Sequence, residues 1–402
     1  MKRILLSTIA LFISFLAFNQ NYSRVKVYAN AFELDRLSQH GVTVDHGIRK
    51  EGVFFISDFS KREIEIMQEQ EYKYDILIDD VEAYYVDILK DKATSQELKN
   101  ATCSTVGGGN GGNSTPVTPT NFNLGTMGGY LKYTEMLAEL DAMVAQYPNL
   151  ITAKAPISTF LTFENRPIYQ VKISDNPNTN ETEPKILYTA IHHAREPMSL
   201  METIFFMWYV LENYNTSAEI AYLVNNTQMY FVPCINPDGR DAYVTQYNRR
   251  NFTSGGNADP NDQEHFEGNT TGRYNHFSFD LNRDWVWQMQ KETQQRVKLY
   301  RSWMPMLHAD FHEQSFQHTY YFPPAAKPYL NFLSPSTLEL QANVSKSFSK
   351  LFDAKKWPYF TSEVYDLLYP GYGDTYPILN GALGMTLEQG GIRGGLNAAK
   401  NN

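Results

Sequence analysis

The tetrapeptide His193-Ala194-Arg195-Glu196 places an imidazole and a carboxylate three residues apart, directly after the apolar run 186–191. From one strand end both side chains can turn toward one cation. Zinc takes imidazole nitrogen and carboxylate oxygen at about 2.0–2.2 Å, so His193 and Glu196 read as half of a zinc site, a pattern also common by chance. His312, in Asp310-Phe311-His312-Glu313, closes a second apolar run, 304–311. A third ligand from a distant strand end completes a two-histidine, one-carboxylate site with an open fourth position. The helical His-Glu-x-x-His arrangement is absent, because Gln314-Ser315-Phe316 follows His312-Glu313.

Two further groups could act beside such an ion. Asn282 and Arg283, in Asp280-Leu281-Asn282-Arg283, offer a fork that can clamp a carboxylate through parallel hydrogen bonds. Glu388 ends the apolar run 382–387 and has the chemistry of a general base for metal-activated water. Each group alone has an ordinary structural reading, such as a satisfied loop histidine or a solvated strand-end carboxylate. His192 has the wrong spacing to Glu196, and His308, inside a strand, reads as a packed core histidine. His265, His276 and His318 belong to no motif.

These residues need a scaffold that brings several strand ends together. From about residue 124, buried-strand runs at 186–191, 229–235, 304–311 and 382–387 alternate with helical patterns such as 137–147 and 198–211, the latter opened by Pro197. That order predicts an α/β domain over 124–402, with an open, mixed central sheet flanked by helices and ligands gathered at strand C-terminal ends. Residues 21–92 read as a small separate α+β unit of ferredoxin-like order. Its strands lie at Val25–Val27, 53–56, 76–78 and 84–88, with an extra strand near 42–48 and a helix opened by the capping pair Ser60/Glu63. Residues 93–123 form a Gly/Ser/Thr/Pro linker, flexible by composition and open to proteolysis. Lys2 and Arg3 ahead of an apolar run to Phe18 read as a signal peptide over 1–20, placing the mature protein outside the cytoplasm, secreted or periplasmic.

Composition sets outer limits. The 402 residues are 42% hydrophobic and 20% charged, which is globular rather than disordered. The net charge of −9, with no basic block, argues against nucleic acid as the main partner. Two cysteines, Cys103 and Cys234, are too few for a disulfide scaffold or an all-cysteine zinc site. No later run is long and apolar enough for a stable membrane span.

Taken in order, His193-Ala194-Arg195-Glu196, Asn236-Pro237-Asp238-Gly239, Asp280-Leu281-Asn282-Arg283, Asp310-Phe311-His312 and Leu387-Glu388 resemble the zinc carboxypeptidases of the pancreatic A/B type over most of residues 125–390. The resemblance implies a carboxypeptidase-like fold holding one Zn2+ ion on His193, Glu196 and His312, with Glu388 as general base and acid. It implies that Asn282 and Arg283 grip the substrate's terminal carboxylate and that Asp280 accepts a hydrogen bond from His193. Arg249, with Arg250 close behind, would polarise the scissile carbonyl, and Arg195 would line the cleft entrance. Substrates would be peptide or protein C-termini, acted on by a monomer. The 21–92 unit resembles the family's activation domain, which would cover the cleft until the linker is cut. The side-chain pocket would come from 368–376, where Asp374 either selects a terminal Lys or Arg or serves as a turn residue, and where Tyr369, Tyr372 and Tyr376 are equivalent choices. The chain ends 14 residues after Glu388, short of the final helix this family normally carries. Two other readings are a zinc peptidase of bacterial cell-wall peptides, which would share the zinc pattern, and a non-catalytic binding module on the same fold, which predicts loss of a ligand or of Glu388, neither of which is lost here.

Overall fold

The computed structural model describes residues 22–44, 47–50, 52–81, 83–84, 117–249, 272–315 and 318–392. The signal run, most of the linker, and residues 250–271 lie outside the described residues.

The first unit runs β1 (Tyr22–Val27), α1 (Ala31–Gln39), β2 (Ile48–Lys50), β3 (Phe54–Ser60), α2 (Lys61–Glu69) and β4 (Tyr74–Ile78). Its strands form one antiparallel sheet in the order β2-β3-β1-β4, the ferredoxin-like arrangement, with the extra strand at 48–50 instead of the expected 42–48 and residues 42–44 outside any strand. Both helices open on reciprocal capping boxes, Asn30/Glu33 and Ser60/Glu63, each satisfying two backbone donors that a helix start leaves open. Val25, Val27, Leu34, Leu37, Phe55 and Phe59 supply the core. The expected strand at 84–88 does not begin as one. Asp80 accepts the Ala83 N–H on its side chain (2.8 Å) and the Tyr84 N–H on its carbonyl (3.0 Å), which starts a helical turn instead. Residues 85–88 lie outside the described residues.

The second unit continues with α3 (Tyr133–Gln146), β5 (Ala155–Pro156), β6 (Tyr169–Ile173), β7 (Lys185–Ala190), α4 (Pro197–Asn213), α5 (Ala218–Asn226), β8 (Gln228–Val232), α6 (Pro237–Arg249), α7 (Lys291–Trp303) and β9 (Leu307–Ser315). It closes with β10 (Tyr320–Tyr321), β11 (Ala326–Tyr329), α8 (Pro335–Lys355), β12 (Tyr359–Phe360), β13 (Asp366–Leu367), α9 (Thr375–Leu379) and β14 (Leu383–Ile392). The eight-stranded sheet has the order β12-β10-β14-β9-β7-β8-β6-β5. Its centre, β14-β9-β7-β8, is parallel, and antiparallel pairs flank it. Alternate residues of the central strands face opposite layers. Ile186, Tyr188 and Ala190 join the core under α4, with Leu200, Ile204 and Trp208, whereas Leu187 joins Trp285, Val297 and Tyr300 under α7. Each such side chain contributes about 1.5–3 kcal/mol by leaving water.

The two units touch. Tyr22, Ile78 and Val81 pack with Tyr321, Phe360, Val364 and Tyr365. Arg24 pairs with Asp58 of its own unit (2.7 Å) and reaches Glu363 of the other (2.5 Å).

Candidate active site

The parallel register of β7, β9 and β14 sets the site. Thr189 lies opposite Asp310, and Glu388 lies opposite His312. His312 and Glu388 therefore sit inside their strands, not at the ends where the apolar runs stop. The backbone ladder continues through polar residues that the fold buries.

Beyond β7 the chain turns sharply. Ile191, wholly buried, has φ +55°, a conformation that β-branched residues rarely adopt and that costs about 1–3 kcal/mol. Its carbonyl accepts the Asn236 N–H (3.0 Å), from the loop that precedes α6. The turn aims His192 and His193 inward and brings Glu196 to the start of α4, ahead of Pro197 at the first helical position.

Three predicted ligands come together. His193 Nδ1 lies 2.5 Å from Glu196 Oε1, and His312 Nδ1 lies 2.7 Å from Glu196 Oε2. All three residues are buried, with donor atoms within 4.8 Å of one another. The far nitrogens are committed: His193 Nε2 donates to Asp280 Oδ1 (3.0 Å) and His312 Nε2 to Asp310 Oδ2 (2.8 Å). With a proton on each Nε2, each Nδ1 carries a lone pair facing the Glu196 carboxylate. Two lone pairs and a carboxylate this close require positive charge among them, so the donor set fits a divalent cation such as zinc. Burial opposes the charge on Glu196, but the two imidazoles outweigh it and hold the carboxyl well below its ordinary range. Burial likewise opposes protonation of His312, and Asp310 and Glu196 outweigh it, raising that imidazole.

Glu388 is buried beside this group. Burial first, and then the nearby Glu196 charge, push its carboxyl up to about 8 against the pull of His312. Its Oε2 has no hydrogen-bond partner among the described residues. Glu388, His193, Asn282, Arg283, Tyr372 and Asp374 line one small pocket.

The expected carboxylate grip divides into two parts. Asn282 is buried, takes the Gly373 N–H on Oδ1 (2.7 Å) and sets Nδ2 3.1 Å from His312 Nε2. Arg283 is about one-third exposed and lies over the Tyr372 ring at 4.5 Å, facing the pocket. Tyr369 is engaged elsewhere, accepting from Trp287 Nε1 (2.5 Å) and donating to Arg283 O (2.9 Å), and Tyr376 is buried against Trp285. Of the three tyrosines, Tyr372 alone lines the pocket. Asp374 takes the Thr375 hydroxyl locally (3.2 Å) and the Thr386 hydroxyl of β14 (2.9 Å), so its carboxylate joins the start of α9 to the sheet.

Arg195 is buried, where a residue lining a cleft entrance would be exposed. Arg249 closes α6, and its side chain and all of Arg250 lie outside the described residues. His308 is a buried core histidine whose Nε2 meets Thr189 Oγ1 (2.8 Å). Sequence reasoning missed Arg273, which pairs with Asp280 Oδ2 (2.7 Å) and, against burial, helps hold that carboxyl well below its ordinary range. It also missed the role of Asp310, although two residues apart on a strand share a face, which was a usable signal.

A profile described as zinc carboxypeptidase matches residues 136–354, more than half of the chain. A protein described as zinc carboxypeptidase from Saccharothrix mutabilis subsp. capreolus is 32% identical over 111 residues, 28% of this chain and 25% of its own length. The match thus spans a quarter of that relative. Carboxypeptidase A from Helicoverpa armigera superposes with a TM-score of 0.51 at 16% identity, over 93% of this chain and 89% of its own. The structure of thrombin activatable fibrinolysis inhibitor superposes with a TM-score of 0.53 at 15% identity, over 94% and 92%. At those identities the likeness is one of fold, and it extends over both units.

Proposed function

Because the chain belongs to the zinc carboxypeptidase family, we propose that it removes the C-terminal residue of peptides or proteins, with one zinc ion on His193, Glu196 and His312 and Glu388 as general base. The observation that carries this reading is the pocket that sets Glu388 and Arg283 around the His193 side of the ligand cluster. Bound there, a zinc ion supplies Lewis acidity to a carbonyl, acidifies water and favours the carboxylate form of Glu388. Glu388 takes the water proton and returns it to the leaving amine. Arg283 holds the terminal carboxylate, and its guanidinium fork restricts the enzyme to chain ends. Asn282 supports that grip from behind, since its amide is committed to Gly373 and the His312 side. Arg249 remains the choice for stabilising the carbonyl oxygen as charge develops, a contribution of about 3–4 kcal/mol for one well-placed donor.

The first unit serves as a cover. A cavity of ≈ 370 Å³ lies between the units, walled by Leu34, Val44 and Gly47 on one side and Arg273, Arg283 and Tyr372 on the other. Gly47 also reaches the Glu388 pocket. The reading extends to export, supported by the basic and apolar N-terminal run.

Glu388→Gln is the test. The purified variant should keep its zinc while turnover of free-acid peptides falls about 10²–10⁴-fold, and C-terminally amidated peptides should resist the unaltered enzyme. Near-normal turnover by the variant, or equal cleavage of amides, would refute the assignment.

A further inference from the structure

His308, Asp310 and His312 occupy alternate positions of β9 and therefore face one side of the sheet. Register places Thr189 of β7 opposite Asp310, and the turn at Ile191 delivers His192 to the same spot. Asp310 Oδ1 takes the Thr189 hydroxyl (2.6 Å) and lies 2.9 Å from His192 Nδ1, while Oδ2 takes His312 Nε2 (2.8 Å). Thr189 Oγ1 is in turn met by His308 Nε2 at 2.8 Å. Asp310 and the three histidines are 0% exposed, and the His192 ring stacks on His312 with centroids 5.5 Å apart and planes at 19°.

We propose that Asp310, steadied by Thr189 and His192, is a positioning residue that fixes the His312 ring so that Nδ1 meets the ion, and that this inner cluster itself holds no metal. The inference rests on the reading of His193, Glu196 and His312 as the zinc ligands. A neutral imidazole can turn about its side-chain axis, and a carboxylate on the far nitrogen removes that freedom and sharpens the basicity of the near one. His193 has its own brace in Asp280, anchored by Arg273. His312 is braced instead from the protein interior, through residues that touch neither the pocket nor solvent.

His192, Asp310 and His312 also bring three donor atoms within 4.8 Å, which raises the alternative of a second ion. Three observations oppose it. Both Asp310 oxygens already face protons, from the Thr189 hydroxyl and the His312 ring. The Arg296 guanidinium lies 4.1 Å over the Trp285 ring, which also packs on His192, and its positive charge acts on His192 and His308. The Gly373 backbone closes over Asp310 so tightly that a Cβ there would come within 2.5 Å of Oδ2.

The test measures zinc stoichiometry, zinc affinity by chelator competition, and the visible spectrum of the cobalt-substituted full chain. Unaltered protein should hold one ion. Asp310→Asn should bind zinc about 10–100-fold more weakly and shift the cobalt spectrum. His192→Leu should weaken binding to a smaller degree, and His192→Asn, whose amide restores a polar N–H beside Asp310 Oδ1, should recover most of the loss. Unchanged affinity and spectrum in Asp310→Asn, or only a lowered melting temperature, would overturn the proposal. So would a second ion in the unaltered protein that His192→Leu removes. Absence of zinc from the unaltered protein would instead remove the site reading on which the proposal rests.

Discussion

At the scale of single residues, the site separates side chains that face the pocket from side chains tied into the scaffold behind it. Arg283 has its guanidinium over Tyr372 and faces the pocket, whereas Asn282 is tied to Gly373 and sits against His312. The two neighbours should therefore fail differently. Arg283→Ala removes a charged hydrogen-bonding fork worth about 1.5–3 kcal/mol, so KM for free-acid peptides should rise about 10–100-fold with little loss of zinc. Asn282→Ala should disturb the Gly373 loop and the His312 side, lowering zinc affinity as well. Steady-state kinetics with metal titration on both variants checks this, and a matching pure KM effect in each would show that Asn282 acts as an equal partner in the grip. Gly373 belongs to the same argument: a Cβ would meet Asp310 Oδ2 at 2.5 Å and Asn282 Oδ1 at 3.0 Å, so no other residue fits between the grip and the brace.

At the scale of elements, the candidate ligands are legible in the sequence but their depth is not. His193, Glu196 and His312 were legible because residue type, spacing and position after apolar runs agree. The runs themselves end early, at Phe311 and Leu387, because apolar patterning marks the core and not the ladder. β9 and β14 continue to Ser315 and Ile392, and the polar residues past the run are the site. The helices α7 and α8 are not legible in the sequence, since mostly polar outer faces dilute their periodicity. Asp374 was legible only as an alternative, and the structure gives it a role between elements. At the start of α9 its carboxylate ties to Thr386 of β14, two residues before Glu388. Burial pushes this carboxyl from 3.8 up to about 6, so the folded chain favours the proton. Between about pH 4 and 6 the native state keeps a proton that the unfolded chain loses, and stability falls as pH rises through that window. A shift of about two units corresponds to roughly 3 kcal/mol at most. Asp374→Asn should therefore melt in urea like the parent at pH 4 and be more stable above pH 6. A parent–variant difference that stays flat with pH would refute the assignment.

At the scale of the whole molecule, the question is how firmly the first unit is seated over the pocket. Its contact is mixed: an apolar patch around Tyr321 and Tyr365, and the ion pair from Arg24 to Glu363. Glu363 immediately precedes Val364, which lines the pocket with Glu388, so the seat and the site share one loop. Arg24 is bidentate on Asp58 and would keep that partner if Glu363 were lost, so the first unit should stay folded. Glu363→Gln is then a clean way to loosen the cover. Glu363 is partly exposed, so the loss is nearer the 1 kcal/mol of a surface pair than the several of a buried one. The uncut variant should hydrolyse a small free-acid peptide several-fold faster than the uncut parent, with the gap closing at high salt as the parent's pair is screened. Protein trimmed within residues 85–116 should show no difference between variant and parent, because the partner Arg24 is gone. Equal activity of uncut and trimmed parent protein would mean that the first unit does not obstruct the pocket, and a rate change that persists in the trimmed variant would place the effect in the Glu363–Val364 loop itself.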